Sequence, residues 1–381
     1  MKRTLFIALI AALTAPVGLI AQEVYMESGK IIFDMTAAAG MPADAVTNTP
    51  KYDATYMGSN TPKVGSIMAN NLHSGWINAT VYEKLEIAPQ DINTSAVIGG
   101  TGTFTMNWVT AFTNCQSSTY NGGGWRLPTQ RELQMIWIFK VAINDLSTTP
   151  LTTNGYWSAT EYANNEACYV LASNGTTGNN SKGYSNYSTR CVREVGATPP
   201  TPPIPPGTMN GGFFAGDLLE GPDGDWQFEY RMYVSDTDAS TLGVGVQWAK
   251  STTATGVQDA LLGKQNTLTL NQSSFDNYPA ANLCFKKNNN YSSITNIDDS
   301  DYIWYLPAQM QLMAVWVVYN SIDNAHKLGK ALYWSSTEYF WTTTNAWYVN
   351  VDDGGDNGAA HNKTNSSITG PVRVRCIREG F

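Results

Sequence analysis

The hydrophobic pattern changes character several times along the chain, and each change predicts a different element. Leu5 to Ile20 is almost continuously apolar, behind Met1-Lys2-Arg3 and ahead of the small residue Ala21. That order predicts a secretory signal peptide over residues 1–21, cleaved after Ala21. Pro16 and Gly18 interrupt a stretch barely long enough to span a bilayer, which argues against a retained anchor. Lys30-Ile31-Ile32-Phe33 predicts a short strand within residues 22–60, which are otherwise rich in small residues, Thr, Asn and Pro. Trp108, Ala111, Phe112 and Cys115 recur at helical spacing and predict a helix from Phe104 to Cys115. Leu133 to Ile143 is apolar on all sides. Pro128 holds the entry extended, and Thr129 followed by Glu132 forms a capping box, so this run predicts a buried helix. The motif Tyr156–Tyr162 and a polar loop come after it, and then a short strand is expected at Ala167–Leu171.

These signals recur. Gly124-Trp125-Arg126-Leu127-Pro128-Thr129 returns in degraded form as Ile303-Trp304-Tyr305-Leu306-Pro307-Ala308. Tyr156-Trp157-Ser158-Ala159-Thr160-Glu161-Tyr162 returns as Tyr333-Trp334-Ser335-Ser336-Thr337-Glu338-Tyr339, and Arg190-Cys191-Val192-Arg193-Glu194 as Arg375-Cys376-Ile377-Arg378-Glu379. Two versions of one domain are therefore expected. The first is 22–195, with an N-terminal extension at 22–60 that has no clear copy. The second is 210–381. Between them lies a linker, 196–209, in which residues 199–207 hold six prolines. Such a stretch is semi-rigid and is expected to keep the domains apart.

Composition narrows the function. Charged residues make up 14 % and the net charge is −8, without a basic patch, which argues against nucleic acid and anionic membrane surfaces. No later segment is long and apolar enough to cross a bilayer, so an exported chain with no membrane insertion is expected, and without a cysteine at the cleavage point it is not a lipoprotein. Five cysteines in an exported chain imply disulfides with one thiol left over. Matching the two copies pairs Cys115 with Cys191 and Cys284 with Cys376. Cys168 falls where the second copy has Trp347, and reads as a small buried hydrophobe.

With these residues in place, the chain resembles the family of the C-terminal domain of the Legionella collagen-like adhesin. The resemblance rests on Gly-Trp-Arg-Leu-Pro-Thr, Tyr-Trp-Ser-x-Thr and the closing Arg-Cys-Val-Arg. The helix start and final strand are also similar to the formylglycine-generating-enzyme branch of the C-type-lectin fold. The resemblance implies an α+β fold: two tandem C-type-lectin-like domains, each with two helices on a twisted antiparallel sheet and a loop-rich face for ligands. It also implies a surface adhesin or a pilus-tip protein, and its fold ties the first helix to the last strand, which fits the cysteine pairing.

Candidate chemistry points to binding rather than catalysis. His73, His326 and His361 lie in no catalytic motif, no zinc spacing occurs, and Glu161 and Glu338 provide one repeated acid per copy rather than a facing pair. No cofactor is implied. Asp352, Asp353, Asp356 and Asn357 could offer oxygens to a cation, but Asp/Asn/Gly clusters are also what tight turns require, and the turn is the preferred reading. The loops after Tyr-Trp-Ser-x-Thr combine rigid rings with small polar groups, the composition of a paratope. They supply Tyr162, Asn164 and Asn165 in the first copy and Tyr339, Phe340, Trp341 and Asn345 in the second. The later loops add Tyr184 and the Asp352–Asn357 group. Trp125, Trp157, Trp304 and Trp334 are expected in the core. The expected function is adhesion to a glycan or protein on a host or neighbouring cell surface. A structural subunit of a surface fibre, pairing through 22–60 with pilus subunits, is the alternative, and an enzyme of the formylglycine-generating type the third.

Overall fold

The computed structural model describes residues 23–34, 84–163, 166–195, 208–209, 212–219, 228–241, 243–273, 276–288, 304–317, 328–329, 331–351, 359–368 and 370–380. The expected signal peptide, the proline run, Asn164, Asn165 and Asp352–Asn357 lie outside these. The chain is mixed α+β. Its first half contains strands β1 (Glu23–Glu27), β2 (Lys30–Asp34) and β3 (Lys84–Ile87), then helices α1 (Trp108–Ser117), α2 (Gln130–Ile138) and α3 (Lys140–Leu146). Strands β4 (Gly155–Ala163), β5 (Glu166–Leu171), β6 (Thr177–Ser181) and β7 (Val192–Glu194) follow. They form two antiparallel sheets, ordered β1-β2-β3-β7 and β4-β5-β6.

The second half contains β8 (Thr208–Met209), β9 (Gly212–Leu219) and β10 (Phe228–Ser235), then α4 (Gly263–Ser273) and α5 (Pro279–Phe285). After these come β11 (Trp304–Tyr305), α6 (Gln309–Val317), β12 (Leu332–Glu338), β13 (Asn345–Asn350), β14 (Ala359–Asn362), β15 (Val372–Arg373) and β16 (Ile377–Gly380). One sheet is β11-β16-β10-β9-β8, the other β14-β13-β12-β15. Strand β9 lies beside β10, which pairs with the last strand, as β2 lies beside β3, which pairs with β7. The extension expected to lack a copy thus has a positional counterpart. The two strands share no residue pattern beyond strand propensity, so the sequence gives no sign of it.

Several local expectations hold with adjusted boundaries. The first helix begins at Trp108 because the Asn107 side chain accepts the Thr110 amide, leaving 104–107 outside the helix. The capping box is complete: Thr129 Oγ1 accepts the Glu132 amide at 3.2 Å and Glu132 Oε2 accepts the Thr129 amide at 2.8 Å. The apolar run is not one helix, however. Phe139, at φ −94° and ψ 16°, ends α2 and starts α3. The disulfides join Cys115 to Cys191 and Cys284 to Cys376, and Cys168 is free and buried. Trp125, Trp157, Trp304 and Trp334 are all buried.

Both halves repeat the same buried polar contacts. Trp108 Nε1 donates to the Ser158 carbonyl at 2.7 Å, and Trp248 Nε1 to that of Ser335 at 2.7 Å. Asp91 takes Arg190 Nε at 2.8 Å and the Tyr156 hydroxyl at 3.0 Å. Asp238 takes Arg375 Nε at 2.8 Å and the Tyr333 hydroxyl at 3.2 Å. Burial, reinforced by the neighbouring carboxylate, pushes both Tyr156 and Tyr333 up to about 12. These ion pairs explain the repeated Arg-Cys motif: the arginine ties the start of the last strand to the loop after its neighbour in the same sheet, β3 or β10, and the tyrosine brings the other sheet to the same carboxylate.

The halves are not held apart by the linker, as the proline run led us to expect. Helix α2 packs on α6, and one hydrophobic core contains Leu133, Ile136 and Trp137 from the first half with Leu312, Val315 and Trp316 from the second. The Arg131 guanidinium lies 4.2 Å over the Trp316 ring, and Gln309 Nε2 donates to the Asn174 carbonyl at 3.0 Å. Covering these apolar helices stabilises the chain more than separation could.

Candidate ligand-binding face

Strand β12 runs into the turn Tyr339–Thr344 and returns as β13. The turn is closed by the Tyr339 amide on the Asn345 carbonyl (3.0 Å) and the Asn345 amide on that of Thr342 (2.8 Å). Rings line up along it. Buried Trp347 meets Tyr339 edge-on at 5.0 Å, Tyr339 meets Phe340 at 5.9 Å, and Phe340 meets Trp341 at 5.3 Å. Phe340 is 48 % exposed and Trp341 65 %. The ladder therefore runs from core to solvent.

Beneath the turn lies a charge the sequence reading left unassigned. Glu338 is buried and paired with the equally buried Lys363, which also donates to the Thr253 carbonyl at 3.0 Å. Glu338 further accepts the Thr255 amide at 2.7 Å, the Thr255 hydroxyl at 2.8 Å and the Gly256 amide at 3.3 Å. Burial alone would raise its pKa, but Lys363 and the Thr255 donors outweigh that and hold the carboxyl below its ordinary value. Desolvation lowers that of Lys363. The Lys363 ammonium also lies 5.0 Å over the Trp248 ring. This hub fastens three segments together: the aromatic turn, the exit from β14, and residues 249–278. The last of these separates Trp248 from α5, where the first half runs straight from Trp108 into its helix. Lys182 repeats the role over Trp108 at 4.8 Å, so a lysine following β6 and β14 was the available signal.

Of the remaining expected site residues, Asn164, Asn165 and Asp352–Asn357 lie outside the described residues. Register pairs Asn345 with Asn362 and Tyr348 with Ala359. The ends flanking Asp352–Asn357 thus lie at the far end of β13, about 17 Å of strand from the turn. Among the described residues no cluster of His, Cys, Asp or Glu could hold a metal ion. In the first half Tyr162 belongs to β4. Tyr184 is 38 % exposed and stacks edge-on at 4.8 Å against Tyr187, which also touches Tyr169 and Trp157. Since Glu166 pairs with Ser181, Tyr184 lies towards the same sheet end as the β4–β5 turn.

The fold and this face together define a disulfide-tied, mixed α+β protein with a loop-borne aromatic surface. Residues 76–193 match the family model of the Lcl C-terminal domain, the C-terminal domain of the Legionella collagen-like surface proteins. No curated protein matches the chain. Among the described residues, no helix is long and apolar enough to cross a membrane.

Proposed function

We propose that the chain is an exported bacterial surface or pilus-associated adhesin built from two tandem C-type-lectin-like domains, and that it binds a glycan or protein ligand through the turn at Tyr339–Asn345. The observation that carries this reading is the adjacent pair Phe340 and Trp341, exposed at 48 % and 65 % on a turn braced by a buried ion pair. Large rings held rigidly in solvent cost solubility and contribute nothing to the core. On a binding surface they present contact area at small entropic cost. The repeated Asp–Arg–Tyr contacts and the Glu338–Lys363 pair are buried and shaped for structure, so binding without catalysis is the reading they support. The test is a glycan and cell-surface-protein array with the full chain and with Phe340→Ala and Trp341→Ala together. Array signal lost in the double variant, with an unchanged melting temperature, is the expected outcome. Array signal that survives the double variant would refute the assignment of this turn.

A fibre-subunit role is the second reading, and one observation favours it. Strand β1 ends its sheet, and among the described residues it pairs only with β2, an edge suited to strand addition. Self-association abolished by a Val24→Pro variant would support it. A monomer at all concentrations, with no co-purifying subunit, would count against it.

A further inference from the structure

A groove of about 450 Å³ lies between α5 and the segment Gly245–Gln247, bordered by Ser366. It is formed by residues other than those of the aromatic turn. Val246, Pro279 and Leu283 give it apolar surface, and Gln247, Asn282 and Ser366 give it polar groups, with Lys286 also lining it. Gln247 Nε2 donates to the Thr364 carbonyl at 2.6 Å, which fixes the amide; its Oε1 accepts no hydrogen bond from any described residue. Asn282 is only 6 % exposed. Its Oδ1 is fully buried, and no described residue bonds its side-chain amide.

A buried amide without a partner lowers stability, and a leucine of similar shape on this helix would remove that penalty. An unpartnered buried amide that lines a groove is characteristic of binding sites, where the missing partner arrives with the ligand. The chemistry selects the ligand class. Amide groups that can accept or donate suit hydroxyls, and the aliphatic side chains that line the same groove suit C–H surface. We propose that this groove is a second ligand site, seating one uncharged, polyhydroxylated group of the size of a single sugar residue, with Asn282 and Gln247 as its hydrogen-bonding side chains.

The proposal is tested by saturation-transfer NMR on the full chain, using a panel of neutral monosaccharides and the matching uronic acids. We expect transfer to the ring protons of at least one neutral sugar. Affinity should fall at least tenfold in Asn282→Leu and stay within twofold in the Phe340→Ala, Trp341→Ala double variant. Asn282→Leu should melt at the same temperature as the parent or higher. The proposal is overturned by transfer to no sugar, by transfer to the uronic acids alone, or by binding that survives Asn282→Leu. A lowered melting temperature in Asn282→Leu would equally overturn it, by showing the amide to be structural. Because the double variant removes only the turn, failure of the adhesin reading and failure of this one are told apart.

Discussion

The starts of α2 and α6 solve one problem with different chemistry. In the first half Glu132 accepts the Thr129 amide and also takes Arg126 Nη1 and Nη2 at 2.8 Å, all out of solvent. In the second half Gln311 Oε1 accepts the Ala308 amide at 2.8 Å, and Gln311 Nε2 donates to the Tyr305 hydroxyl at 3.3 Å. A charged pair has been exchanged, as a unit, for a neutral one with the same connections. The lesson is that this position serves the scaffold: it fixes the helix that meets its counterpart in the shared core. What differs without compensation between the halves is the aromatic turn and the segment 249–278.

The largest effect that would test this comparison comes from breaking the charged version. Glu132→Ala strands the buried Arg126 guanidinium and should cost about 3–5 kcal/mol, whereas Gln311→Ala loses neutral bonds and should cost about 1–2 kcal/mol. Urea titrations of both variants measure the gap. Equal costs would mean that the two arrangements are not exchanges of one unit. Since α2 and α6 share one core, each variant should shift a single transition and not split it in two.

The cap was legible in sequence because it is local: Thr129 and Glu132 lie three residues apart, and Arg126 and Glu132 vanish together in the second copy. The disulfides were legible because the repeat aligned them. The α2–α6 contact was not, although the all-round apolar run Met135–Phe139 signalled burial. Periodicity shows that a helix is covered and says nothing of what covers it, and Arg131, stacked on Trp316, carries a residue type that normally marks solvent. Lys363 escaped notice for a similar reason, since its pairing with Glu338 exists only after the β12–β14 sheet has formed. The candidate site was half legible. Phe340 and Trp341 stood out by composition, whereas the buried Glu338–Lys363 pair beside them depends on strand pairing and could not be read from either residue alone.

A smaller effect separates the turn's support from its surface. The folded pKa of Glu338 lies below its ordinary value of 4.5, so its ionised form stabilises the folded state above that pH and the contribution is lost as pH falls through the folded pKa. The stability gap between the parent and Glu338→Gln should therefore be widest at neutral pH and close below about pH 4.5, as followed by thermal melts across pH. A gap independent of pH would show that the carboxylate charge is not what braces the turn. Thr129→Ala, which removes a single capping bond that Ala308 never had, should cost about 1 kcal/mol, read by the same urea titrations.

The smallest expected effect is the most informative about where function lies. Phe340 touches Tyr339 and Trp341, and both Phe340 and Trp341 lie outside the buried clusters. Truncating both to alanine should change stability by no more than about 0.5 kcal/mol. If the double variant instead lost several kcal/mol, the rings would be scaffold like Trp334, and the contrast drawn between interchangeable helix caps and a distinctive turn would collapse. If stability holds while ligand capture disappears, the second half has acquired its function without altering the frame it shares with the first.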